Sequence, residues 1–178
     1  MDNRRSDDVI GKLRAMMRKS QRQTRLQINN VVRDTLPLIN SYGIMRNISL
    51  KLELDENIQL VAGDRIQLQQ VILNLIFNSS EALMDTAEEL RTIVVRTSQE
   101  DTQKVTLSVK DNGPGVEEKV MSHLFEPFYT TKQEGLGMGL TISRSIIEEH
   151  AGHLWAENNP DSGTTFYFTV PIAKENSA

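Results

Sequence analysis

The stretch 64–84 constrains this chain more than any other. Ile66, Leu68, Val71, Ile72, Leu73, Leu75, Ile76, Phe77, Ala82 and Leu83 occupy most azimuths of a helix that begins after Gly63-Asp64. A helix apolar most of the way round must be buried, so other elements have to cover it. Its apolar surface is broken by Gln67, Gln70, Asn74, Asn78 and Glu81, which at about 100° per residue fall within roughly an 80° arc. One reading is a solvated face, although Asn is a poor helix former and such faces more often use Glu and Lys. The other is that Asn74 and Asn78, at i and i+4, aim two amide oxygens at one point. Amide oxygens are hard ligands, suited to a magnesium ion that also holds phosphates.

The neighbouring segments supply the cover. Residues 4–27 are strongly charged, with Val9, Ile10, Leu13, Met16, Met17 and Leu26 on one narrow stripe; this predicts a helix that packs on a partner helix or lies on its own domain. A second helix is expected over 28–45, with Ile28, Val31, Val32, Leu36, Leu38 and Ile39 inward and Pro37 as a kink or re-cap. Leu50, Leu52 and Leu54 alternate along a strand at 49–54, and 59–62 reads as another. Strands at 92–98 and 104–110 form a hairpin, and a short helix is predicted near 117–123. A helix follows at 138–150 with Gly152 as its stop, then a hairpin of 153–158 and 164–171 turning through Asn158-Asn159-Pro160-Asp161-Ser162-Gly163. The expected fold is α+β: a two-layer sandwich in which a mixed, mostly antiparallel sheet of about five strands packs on three main helices.

With 178 residues and 38% hydrophobic content the chain can build one core, since a domain of roughly 150 residues buries about 70% of its unfolded surface. Cysteine is absent, which excludes disulfides, thiolate metal sites and a cysteine nucleophile and suits a reducing compartment. A net charge of −4 argues against a nucleic-acid or anionic-membrane surface. No apolar run approaches the ~20 residues of a membrane span, and MDNRRSDDV lacks the apolar region of a signal peptide. These features together predict a cytoplasmic protein.

Two glycine-rich segments carry the remaining signal. Asp111-Asn112-Gly113-Pro114-Gly115-Val116 follows a strand directly. It is either an ordinary tight turn or a site where the Asp111 carboxylate accepts from an exocyclic amine such as that of adenine, the glycines letting a ligand approach the backbone. Gly135-Leu136-Gly137-Met138-Gly139-Leu140 opens the last helix. It is either a hinge or a phosphate seat at a helix N-terminus. It is neither a dinucleotide fingerprint, because no strand precedes it, nor a Walker loop, because no Gly-Lys-Ser/Thr follows. Lys132 is a solvated lysine or a cation for phosphate.

Between the two lies Leu124-Phe125-Glu126-Pro127-Phe128-Tyr129-Thr130-Thr131-Lys132. In this order the set resembles the ATP-binding catalytic domain of bacterial two-component sensor histidine kinases, within the gyrase, chaperone and MutL-like ATPase superfamily with its Bergerat-type fold. It looks closest to the oxygen-sensor-like branch that carries Thr-Thr-Lys. Asn74 and Asn78 match the N box, Asp111–Gly115 the first glycine box, Phe125–Phe128 the F box, Gly135–Gly139 the second glycine box, and Gly163-Thr164-Thr165-Phe166 a last, weaker box. The resemblance covers about 48–172. It implies ATP and Mg2+ as ligands, with Asp111 on the adenine amine, Thr164 or Thr165 nearby through water, and Asn78 on the metal. Asn74 would order the metal shell and be the catalytic position. Gly113, Gly115, Val116, Thr131, Lys132, Gly135, Leu136, Gly137, Met138, Gly139 and Leu140 would line the nucleotide, and 124–137 would be the lid. In ATPase relatives a glutamate at the position of Asn74 activates water. An amide cannot act as a general base, which favours transfer to a protein acceptor.

The family's acceptor histidine sits on a helical hairpin, followed by an acidic residue. His123, His150 and His153 all lie in the ATP domain without that setting. The chain therefore reads as a catalytic fragment: 1–27 the tail of the dimerisation hairpin, 28–173 the catalytic domain, 174–178 a tail. Its implied partners are that hairpin and a response regulator receiver domain, with a homodimeric parent, a monomeric fragment and no nucleic acid. Two alternatives stand beside this: a nucleotide-gated interaction module, and a related kinase acting on serine of a small regulatory protein.

Overall fold

In a computed structural model, residues 23–41, 47–127, 129 and 138–174 are described. Helix α2 (Arg65–Ala82) is the central element. Asp64 caps it, its Oδ1 accepting from the amides of Ile66 at 2.9 Å and Gln67 at 3.1 Å, two donors a helix start otherwise leaves unpaired. One face of α2 packs on a five-stranded sheet. That sheet contains β2 (Ser49–Leu54), β4 (Thr92–Ser98), β5 (Lys104–Asp111), β7 (Thr164–Pro171) and β6 (Leu154–Asn158), adjacent in that order. Only the β2–β4 pair is parallel.

Helices α1 (Ile28–Ser41) and α4 (Gly139–Glu149) flank α2 in the same layer, and α3 is one turn (Glu118–Met121). Val95, Val105, Leu107, Val109, Phe166 and Phe168 from the sheet meet Leu68, Val71, Ile72, Leu75 and Ile76 of α2 in one core, joined by Val31 and Val32 of α1 and Ile147 of α4. The expected α+β sandwich with three main helices and a mixed sheet is the observed fold.

Several local expectations change. The helix predicted over 4–27 does not reach its end: Thr24–Leu26 is a strand, β1, antiparallel to β3 (Val61–Gly63). Leu26 thus pairs with Val61 instead of joining the expected helical stripe; residues 1–22, with the rest of that stripe, lie outside the described residues. The strand expected at 59–62 starts at Val61 and belongs to this separate two-stranded sheet, leaving Leu60 exposed. Helix α1 ends at Ser41, with 42–46 outside the described residues, and accommodates Pro37 on its exposed face. It also buries Asn29 and Thr35, which the apolar pattern does not mark. Asn29 Nδ2 donates to Asp55 O at 2.9 Å and its Oδ1 accepts from Thr97 Oγ1 at 2.8 Å, so the polar group tying α1 to the sheet is satisfied.

The stop of α4 is carried by Ala151, at φ 54°, rather than by Gly152. The Ala151 amide donates to Glu148 O and the Gly152 amide to Ile147 O, each at 2.9 Å, a Schellman closure. Gly152 is required for space instead: a Cβ there would lie 1.9 Å from Thr169 O.

Candidate nucleotide site

Asp111 is the last residue of β5 and faces α2, because it stands opposite Ile93 on the core side of the sheet. It is buried to 1% exposure. Its Oδ1 accepts from the amides of Gly113 at 3.0 Å and Thr164 at 3.2 Å. Oδ2 is buried without a hydrogen-bond partner, and so is the hydroxyl of Ser79 on α2. Burial holds the Asp111 carboxyl above the usual carboxylate range, against the opposing pull of the Gly113 and Thr164 amides and of the nearby Ser79 hydroxyl, although no well-formed bond joins the two side chains. An unpaired buried acceptor next to an unpaired hydroxyl is costly. A ligand that offers an amine donor and an acceptor removes both deficits.

The loop after Asp111 is shaped for close approach. A Cβ on Gly113 would meet Ala82 O at 3.1 Å, and Gly115 has φ +82°. Asn112 braces the loop's outer side, its Oδ1 accepting from the Thr92 amide at 2.8 Å and its Nδ2 donating to Leu90 O at 2.7 Å.

The polar arc of α2 is sheltered along most of its length: Gln70 is buried, Gln67, Asn74 and Asn78 are half-buried, and Glu81 at its end is exposed. Asn74 Nδ2 donates to Ser143 Oγ on α4 at 2.9 Å. Its Oδ1 is so close to the start of α4 that a Cβ on Gly139 would lie 2.6 Å from it. Asn78 Nδ2 donates to the Asn74 carbonyl at 2.9 Å. The N-terminal end of α4, with Met138 and Gly139, thus abuts Asn74, where the helix presents unpaired amides and partial positive charge. Phe125 is anchored to the same helix: Thr141 Oγ1 donates to Phe125 O at 3.3 Å and the Arg144 guanidinium lies 5.9 Å over the Phe125 ring.

The described residues of the expected site therefore form two ends. Asp111, Gly113, Gly115, Val116 and Thr164 make one, and Asn74, Asn78, Met138, Gly139 and Leu140 the other. Thr131, Lys132, Gly135, Leu136 and Gly137 lie outside the described residues. Of the two threonines, Thr164 shares the core face with Asp111, whereas Thr165 pairs with Lys110 and points to the opposite face, donating to Asn159 Oδ1 at 2.5 Å. Ser79, Ser143, Asn158 and Asn159 escape the sequence reading. Ser143 stands four residues after Gly139 on the same helical face, a spacing that by itself does not set it apart from any other helical serine. Among the histidines, His150 is buried: Nε2 accepts from the Asp64 amide at 2.9 Å and Nδ1 donates to Ile146 O at 2.7 Å. His123 contacts Glu126, and His153 stacks on Trp155.

A two-layer α+β sandwich with a buried carboxylate acceptor at a strand end and unpaired amides at a helix start is an arrangement suited to a nucleotide. The chain belongs to the histidine kinase-, DNA gyrase B-, and HSP90-like ATPase family, which residues 63–174 match. Within it, the chain is an ATP-binding catalytic domain of the histidine kinase type. The catalytic domain of histidine kinase ThkA superposes with a TM-score of 0.73 at 35% identity, over 85% of this chain and 96% of that one. Sensor protein FixL of Bradyrhizobium diazoefficiens is 36% identical over 173 residues, 97% of this chain, which supports the branch expected from Thr130-Thr131-Lys132. The chain spans 34% of the length of FixL. A structure of ThkA in complex with response regulator protein TrrA matches with a TM-score of 0.72 at 27% identity, over 95% of this chain and 48% of that one.

Proposed function

We propose that this domain binds Mg-ATP and transfers the γ-phosphate to a histidine on a dimerisation hairpin outside the chain, for relay to a response regulator receiver domain. The observation that carries the reading is the buried, unpaired Asp111 Oδ2 beside the unpaired Ser79 hydroxyl. It fits an adenine amine and a ring nitrogen or its bound water. ATP supplies the phosphoryl group, and magnesium neutralises the charge that develops during transfer. Asp111 and Thr164 orient the base, while Asn78 and Asn74 serve the metal end. Lys132, Thr131 and the glycines 135, 137 and 139 serve the phosphates.

Ser143 uses the Nδ2 of Asn74, so the amide oxygen of Asn74 faces Gly139. No carboxylate stands at Asn74 to take a proton from water. That chemistry supports transfer over hydrolysis, and the ThkA complex with a response regulator supports the onward relay. The segment preceding β1 connects to the hairpin of a homodimeric parent, and the reaction is cytoplasmic. No described helix is long and apolar enough to cross a membrane.

Incubation of the chain with labelled ATP and the separate hairpin of its parent kinase tests this. An acid-labile phosphoryl group is expected on the hairpin, formed slowly because the tether that sets effective concentration is missing. Brisk hydrolysis lost on Asn74→Ala would instead place the domain with the hydrolytic relatives.

A further inference from the structure

We propose that Asn158 and Asn159 are positioning residues that hold the two ends of the glycine loop 111–116, and that Thr165 acts on the site through Asn159 without touching a ligand. The inference rests on the reading of Asp111 as the adenine acceptor.

The loop leaves β5 at Asp111 and re-enters regular structure only after Val116. Its first end is held by Asn159, whose Nδ2 donates to Asp111 O at 2.9 Å and to Ser162 O at 3.0 Å. The oxygen of the same amide accepts from Thr165 Oγ1 at 2.5 Å, which fixes the orientation of the amide. The last end is held by Asn158: its Oδ1 accepts from the Val116 amide at 2.9 Å and its Nδ2 donates to Val116 O at 2.7 Å, a paired rung like those of a sheet. Asn158 closes β6 and Asn159 opens the turn after it. Consecutive side chains leave an extended chain in opposite directions, so adjacent residues reach both ends of one loop.

The turn and the loop also meet backbone to backbone. Gly163, at φ +84°, lies where a Cβ would be 2.1 Å from Asp111 O, and a Cβ on Gly115 would be 3.1 Å from Asn158 Oδ1. Each asparagine needs a donor and an acceptor at once, which neither Asp nor Ala supplies. The loop is thereby ordered before a base arrives, so binding does not have to order it. This also accounts for a threonine buried on the face away from Asp111.

The test is calorimetry of the whole chain with Mg-ATP and, separately, adenosine. Asn158→Ala and Asn159→Ala should weaken both ligands by the same factor, about five- to tenfold, with unchanged stoichiometry. Thr165→Val should weaken both about threefold, and Thr165→Ser should restore wild-type affinity. A merely structural role would lower the binding-competent fraction and leave the affinity of the remainder intact. That result, or a loss confined to Mg-ATP, overturns the proposal. If the asparagine variants do not fold, unchanged affinities in Thr165→Val overturn it equally. Asp111→Asn separates the two levels. If that variant keeps adenosine affinity, the adenine reading itself fails; if it loses affinity while the clamp variants do not, only the clamp fails.

Discussion

Asp111→Asn should move stability and affinity in opposite directions. The amide must keep its oxygen where Oδ1 accepts from Gly113 and Thr164, because an NH2 there would face two donors. Its nitrogen then occupies the Oδ2 position and meets the adenine amine donor to donor. Losing a charge-assisted bond and leaving a mispaired donor costs about 2–3 kcal/mol, a fall in ATP affinity of roughly 30- to 150-fold. The free protein should not suffer. Burial raises the Asp111 pKa in the folded state, so the stability this group contributes is complete below its unfolded pKa and is lost as pH rises through the folded value. Ionising this buried carboxyl as the pH rises costs stability that the amide never loses, so at neutral pH the variant should melt at or above the wild-type temperature. Below the unfolded pKa, at roughly pH 3, the difference should vanish. Calorimetry with ATP and adenosine, and thermal unfolding between about pH 3 and 8, read both effects. A variant that melts several degrees lower at neutral pH, or that binds ATP normally, would refute the reasoning.

The same carboxyl predicts that wild-type ATP affinity falls on acidification through a pKa above that of an ordinary aspartate, a dependence that Asp111→Asn should abolish in a binding titration. Asn78→Ala should lower Mg-ATP affinity at least about tenfold while sparing adenosine, the expected pattern for a group acting through a metal; equal losses would make Asn78 structural. Gly139→Ala forces a Cβ to 2.6 Å from Asn74 Oδ1, so the amide has to move; transfer to the hairpin should drop by about an order of magnitude with adenosine binding retained, since the base end is untouched. The chain alone with Mg-ATP should form no phosphohistidine, because both nitrogens of His150 are engaged and neither His123 nor His153 has an acceptor's setting. Mass spectrometry finding phosphate on any of the three would contradict this.

Periodicity alone predicted a buried helix over 64–84, which the fold realises at 65–82, and the alternating strands, because both depend on near-neighbour spacing along the chain. The order of the site's parts was legible only through the resemblance to the kinase family. Glycine and asparagine at fixed offsets from a strand end and a helix start singled out Asp111, Asn74, Asn78 and Gly139 as candidates, and the family resemblance gave them their expected roles. What the sequence left open depends on contacts between residues far apart in it. Whether Thr164 or Thr165 joins Asp111 is decided by the register of β5 against β7. Leu26 becomes a strand residue only because β3 offers an edge 35 residues away in sequence, with Leu26 opposite Val61. Ser79 and Ser143 read as ordinary helical serines until the sheet and α4 close on them. Asn158 and Asn159, turn residues by composition, acquire their partners at Asp111 and Val116 only when β7 folds back beside β5. A hydrogen bond across such a distance leaves no period in the sequence, so tertiary structure alone could decide it.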